Sequence, residues 1–98
     1  MKVFKMWRNK QFPKDYDPGD IVDCLVLAED ENKARALIRQ YEIEGENIHK
    51  STKTSPEDWA DRTITDCVEV YASEGVLTAT HYHIAHTGVI SYNKQVTS

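Results

Sequence analysis

The 98 residues of this chain, 40% hydrophobic and 29% charged, suffice for one hydrophobic core and exclude both two separate cores and the low-hydrophobicity regime of disordered chains. A core this thin leaves little room for a deep internal active site, so function is expected at the surface. The net charge of −4 is unevenly spread, with +5 over residues 1 to 14 (Lys2, Lys5, Arg8, Lys10, Lys14) and −9 over the remainder, which argues against general affinity for nucleic-acid phosphates.

Residues 2 to 8 (KVFKMWR) predict a first strand with Phe4 and Met6 on one face and Val3 and Trp7 on the other. The turn formers of residues 9 to 20, with Asp17-Pro18-Gly19-Asp20 at their end, predict a loop of hairpin type. Ile21 to Ala28 (IVDCLVLA) is nearly continuous in apolar residues and predicts a strand central in the sheet. Asp30 is a helix N-cap followed by Glu31, and Ala34, Leu37, Ile38 and Tyr41 recur at helical spacing. Lys33, Arg35 and Arg39 fall off that stripe and are expected to meet water, with Gly45 ending the helix.

Ser55-Pro56-Glu57-Asp58-Trp59 has a cap, an N1 proline and first-turn acids, which predict a short second helix anchored by Trp59. Thr63 to Tyr71 alternates as a half-exposed strand, Ser73-Glu74-Gly75 makes a turn, and Val76 to Ala85 reads as a fourth strand. Gly88 breaks it, Val89 to Tyr92 adds a short last strand, and residues 93–98 are expected to form a flexible tail. Together these elements predict a single α+β domain over 1–98, with residues 1–20 as its basic first strand and loop. Its mostly antiparallel four- to five-stranded sheet follows the order β-β-α-β-β, with one main helix on one face. Asp23-Cys24 and Asp66-Cys67 open loosely similar runs, read as chance repetition of strand composition.

No stretch approaches the roughly 18 apolar residues of a membrane span, and the opening residues lack an unbroken apolar signal core, so a cytoplasmic chain that does not engage membranes is expected. Cys24 and Cys67, inside apolar runs, are expected as buried free thiols, a disulfide being the alternative. His81 and His83 share one face of the predicted fourth strand, and His86 follows; they could share a zinc ion, with His49 or one of the cysteines completing the set, against the simpler reading of half-exposed strand residues. No phosphate-cradling glycine loop and no activated nucleophile is legible, so no catalytic residue and no cofactor are expected.

Binding is the remaining class. The acids Glu29, Asp30 and Glu31 and the acids Glu57, Asp58 and Asp61 could form acidic faces for a basic partner, although helix capping explains the same residues. Trp7 and Tyr82 are candidate aromatic anchors, with Phe12, Tyr16 and Tyr92 beside them; Trp7 with Lys5, Arg8 and Lys10 could also stack a nucleotide-type small molecule. Strand edges in so short a sheet leave a homodimer open.

The run Val26 to Leu37, followed by Trp59, Ile64 and Glu74-Gly75-Val76-Leu77, resembles a loose group of short phage-encoded proteins of unassigned role, over residues 21 to 84. The His81-to-His86 segment departs from that pattern. The resemblance implies an inhibitor of host defence, of the anti-CRISPR kind, in the host cytosol. Its partner would be a host protein or ribonucleoprotein complex, without direct contact to nucleic acid.

Overall fold

Val3, Phe4, Met6 and Trp7 place apolar side chains on both faces of one segment, and that segment is an interior strand with a hydrogen-bonded neighbour along each edge. The computed structural model describes residues 1–46, 49–71 and 88–96. Strand β1 (Lys2–Arg8) pairs antiparallel with β2 (Ile21–Ala28) and with β3 (Thr65–Val70), and β2 pairs antiparallel with β4 (Val89–Lys94). Among the described residues this gives a four-stranded antiparallel sheet in the order β3-β1-β2-β4, with one main helix and one 3-10 turn. The architecture is α+β. The predicted turn at Ser73 to Gly75 and the predicted strand Val76 to Ala85 lie outside the described residues.

Register decides which side chains meet the helix. Phe4 and Met6 lie opposite Val26 and Cys24 of β2, and Met6 also lies opposite Cys67 of β3. These residues form one face, and the helix α1 (Glu31–Gly45) closes it with Ala34 and Ile38. An irregularity in the β2–β4 pairing between Ile21 and Asp23 explains how Ile21 and Cys24, three residues apart, are both buried. The similar runs at Asp23-Cys24 and Asp66-Cys67 turn out to share a register, because both dipeptides sit opposite Met6 and Trp7, one on each side of β1.

Asp30 caps α1 as predicted, its side chain accepting from the Lys33 amide at 2.8 Å. One expectation for this helix is corrected. Arg35 does not meet water but is 7% exposed, since Nη1 donates to the Trp59 carbonyl at 2.8 Å and to Thr65 Oγ1 at 2.7 Å. Gly45 ends the helix as expected; its φ is not positive, and the Glu46 amide bonds back to the Ile43 carbonyl. The His49 amide takes the Gly45 carbonyl at 2.9 Å, so the terminal carbonyls are met by the following loop and no glycine conformation is needed.

The second helix is a 3-10 turn, Pro56–Ala60, with Ser55 and Asp58 forming a reciprocal capping box. It delivers Trp59 to the centre of the core, fully buried. In β3 the polar face is the one that points inward: Thr65 is fully buried and Cys67 half-buried, while Val68 is 48% exposed. Apolar alternation alone would have turned Val68 inward, but Arg35 needs the Thr65 hydroxyl and carbonyl as acceptors.

Strand β4 begins after Gly88, whose φ of +78° is out of reach for most side chains and whose Cβ would stand 2.8 Å from Leu37 Cδ1. It runs two residues beyond the predicted Tyr92, so Asn93 and Lys94 belong to the sheet. Gln95 is also ordered, exchanging backbone hydrogen bonds with Gly19 and Asp20 at 2.7 and 2.8 Å. The amino-terminal bases do not form a continuous basic edge, because β1 is interior to the sheet: Lys2 and Lys5 reach solvent while Arg8 is buried.

Candidate functional site

Arg8 ends β1 on the helix-facing side, and its guanidinium is wholly enclosed. Nη1 donates to the Ile21 carbonyl at 2.8 Å, Nε to Asp58 Oδ2 at 3.1 Å, and Nη2 to the Ser55 carbonyl at 3.2 Å and Glu42 Oε1 at 3.4 Å. Its Cζ stands 4.4 Å from the centroid of the Trp59 ring, close enough for a cation–π contact. Glu42 also accepts from Trp59 Nε1 at 2.7 Å. Burial pushes the Glu42 carboxyl above the usual range even though Arg8 and the indole pull it down.

Beside this centre the Asp17-to-Asp20 turn fastens the loop that follows α1. Asp20, also buried, accepts from Ser51 Oγ at 2.9 Å and from the Asp17 amide at 2.7 Å, and its Oδ1 lies 2.8 Å from His49 Nε2. Asp17 accepts from the Thr52 amide and hydroxyl, both at 2.8 Å, and the Thr52 bonds hold its carboxyl below the usual range. Gly19, at φ +92°, lets the His49 ring approach; a Cβ there would stand 2.9 Å from His49 Cε1.

Between this clasp and the helix end opens a cleft of about 560 Å³. One wall is the end of α1, with Tyr41, Glu42 and Gly45; a second is the loop from His49 to Pro56; the third is Ile21 and Tyr92 of the sheet. Tyr41 and Tyr92 meet with ring centroids 5.5 Å apart, tilted at 51°. Burial, with a hydrogen bond between the two side chains, pushes the Tyr41 hydroxyl up to about 12.

The structure scatters the residues read from the sequence as partner-binding. Glu29 is exposed, Asp30 caps α1, and Glu31 is held by Arg35 at 2.9 Å and by Arg62. Glu57 pairs with Arg39 at 2.6 Å, Asp58 with Arg8, and Asp61 with the Thr63 amide at 2.9 Å. These acids therefore form mixed-charge ion pairs and caps more than continuous acidic faces. Trp7 is half-buried on the sheet face opposite α1, with Lys5 Nζ 5.9 Å from its ring centroid. Phe12 and Tyr16 stack at 5.8 Å, next to Arg8. Tyr82, His81, His83 and His86 lie outside the described residues.

Asp20 and Glu42 are site residues the sequence does not single out: Asp20 is visible only as a turn former, and His49 only as a possible further ligand beside His81, His83 and His86, whereas the fold places it against Asp20.

Chemically, the cleft has polar groups but no assembled nucleophile. Ser51 bonds to Asp20 and not to His49, so the hydroxyl lacks the base that would activate it. Both thiols are free, and burial drives the Cys24 pKa far upward and the Cys67 pKa to about 11, away from reactive thiolate. Among the described residues no three His, Cys, Asp or Glu side chains converge as a metal-ligand set. Nor, among them, is any helix long and apolar enough to cross a membrane. No protein-family model, curated protein or solved structure matches the chain.

Proposed function

We propose that this chain is a non-enzymatic binding protein whose partner engages the cleft between α1, the His49-to-Pro56 loop and the sheet. The observation that carries the reading is the cleft itself. Its volume of about 560 Å³ falls in the range of ligand sites, and aromatic rings and a few convergent polar groups line it. In biological terms the protein acts as an inhibitor of a host defence or nucleic-acid-handling complex in the cytoplasm, as its resemblance to short phage-encoded proteins implies. The net charge of −4 supports a protein or ribonucleoprotein surface over bare phosphates. Glu29 and the neighbouring surface acids steer the approach without supplying most of the affinity. A fifth strand over Val76 to Ala85, bearing Tyr82, belongs to the same reading.

Gly45 supplies the test. It lines the cleft, has helical backbone, and has no heavy atom within 4 Å of where its Cβ would stand, so Gly45→Trp fills the cleft mouth without disturbing the fold. Immobilised wild-type protein is expected to retain one of a panel of purified host defence complexes, and Gly45→Trp to retain none. Equal retention by both proteins removes the cleft from the mechanism, and no retention by either removes the inhibitor reading.

A further inference from the structure

We propose that the cleft receives a cationic side chain, the guanidinium or ammonium of an arginine or lysine on the partner protein. This rests on the reading of the cleft as the binding site and adds the chemistry of what enters it.

The first ground is a buried charge imbalance. Two carboxylates line the cleft with little access to water: the side chains of Asp20 and Glu42 are 0% and 13% exposed. The enclosed guanidinium of Arg8 reaches Glu42 but is shared with Asp58, which does not line the cleft, and the half-exposed His49 meets Asp20. Buried carboxylates are costly unless they are hydrogen-bonded and matched by positive charge. An open cleft with low-dielectric walls projects that negative potential into solvent, where a cation can answer it.

The second ground is the end of α1. Helix carboxyl termini carry partial negative charge and favour bases, yet the last turn of α1 has none and instead presents Glu44 and Glu46. Glu44 accepts only from Gln40 Nε2, at 3.3 Å, and among the described residues neither acid has an ion pair. A local rule broken at the rim of a cavity is the signature of a site that a partner completes.

The third ground is the aromatic wall. Lys94 Nζ lies 5.2 Å from the Tyr92 ring centroid, so this ring already meets a cation from its own chain. Lys94 and Lys50 at the rim are the cations an incoming side chain must displace. Their presence sets a weak and salt-sensitive affinity per side chain.

The experiment is an amide NMR titration of the intact protein with N-acetyl-arginine methylamide, N-acetyl-lysine methylamide, the neutral isostere N-acetyl-citrulline methylamide, and spermidine. The arginine and lysine probes are expected to shift the Tyr41, Gly45 and Tyr92 amides with dissociation constants of about 1 to 20 mM. The citrulline probe should be at least several-fold weaker. The double variant Glu44→Gln, Glu46→Gln, both at exposed positions, should weaken the arginine probe roughly two- to fivefold, and Gly45→Trp should abolish its shifts.

Equal shifts with citrulline overturn the cationic class while leaving the cleft as a site. Saturation by spermidine at much lower concentration than either amino-acid probe overturns the assignment to a protein side chain in favour of a free polyamine. No shift with any probe at about 50 mM overturns the cationic proposal; the cleft reading falls with it only if partner retention also survives Gly45→Trp.

Discussion

Arg8 and Arg35 are two buried arginines that touch the same tryptophan, and they are neutralised in different ways. Arg35 lies among neutral acceptors, the Trp59 carbonyl and the Thr65 hydroxyl and carbonyl, and its one carboxylate partner, Glu31, stands partly in water. Arg8 stacks on the indole and faces two carboxylates that are themselves largely withdrawn from water, 13% and 17% exposed. The Arg35 side is a structural joint between α1, the 3-10 turn and β3. The Arg8 side joins β1 to β2, α1 and the 3-10 turn and leaves the Glu42 carboxylate on the wall of the cleft, which is the physical difference between a region that holds the fold together and one that can also receive a partner.

Removing the shared element is expected to have the largest effect. Trp59→Ala leaves a cavity, removes the ring on which the Arg8 guanidinium stacks and takes away the indole N–H that Glu42 accepts, with a loss of about 3 to 5 kcal/mol or more in urea unfolding. The comparison itself is tested by truncating the arginines separately. Arg8→Met strands two buried carboxylates and should cost about 3 to 5 kcal/mol, whereas Arg35→Met strands mainly hydroxyl and carbonyl acceptors and should cost about 1 to 3 kcal/mol. Equal losses would show that the two environments are electrostatically alike and would remove the contrast.

A smaller effect of opposite sign is expected at the cleft rim. Gly45→Ala restores a helix former at a helical position with open space for the methyl group, and should stabilise the protein by about 0.5 to 1 kcal/mol in the same assay.

The smallest effect concerns pH. The carboxyls of Asp17, Glu57 and Asp61 are lowered, chiefly by hydrogen bonds from Thr52, Arg39 and Thr63 respectively. A lowered folded-state value contributes stability above the unfolded value, near 4, that is lost as pH falls through the folded value. Glu42 runs the other way: its raised value contributes stability below the ordinary carboxylate range, lost as pH rises through it. Asp17→Asn should therefore flatten the loss of stability between about pH 5 and 2, and Glu42→Gln should flatten the opposing change near the upper end of that range. Urea midpoints across pH check both, and an unchanged acid limb in Asp17→Asn would detach the Thr52 clasp from stability.

Much of the fold was legible because its signals are local. The Asp30 cap, the Ala34-Leu37-Ile38-Tyr41 spacing and the Ser55-Pro56 start each depend on residues within one or two turns, and each is found where the pattern puts it. The inward polar face of β3 was not legible, because it depends on Arg35, 30 residues away in sequence. The candidate site was less legible still. Its acids read as caps and turn formers, and most of the acids that looked exposed found arginines or backbone amides instead.

The sequence by itself determined the α+β class, the strand and helix identities among the described residues, and the apolar surroundings that keep the Cys24 and Cys67 thiols unactivated. Those follow from periodicity and local composition, which act within a few residues. Only the tertiary structure decided that β1 lies inside the sheet, that Arg8 and Arg35 share Trp59, and that Asp20, Glu42 and His49 border one cleft. Such contacts join residues tens of positions apart, and their energies depend on which charges lose water together, a property no single segment carries.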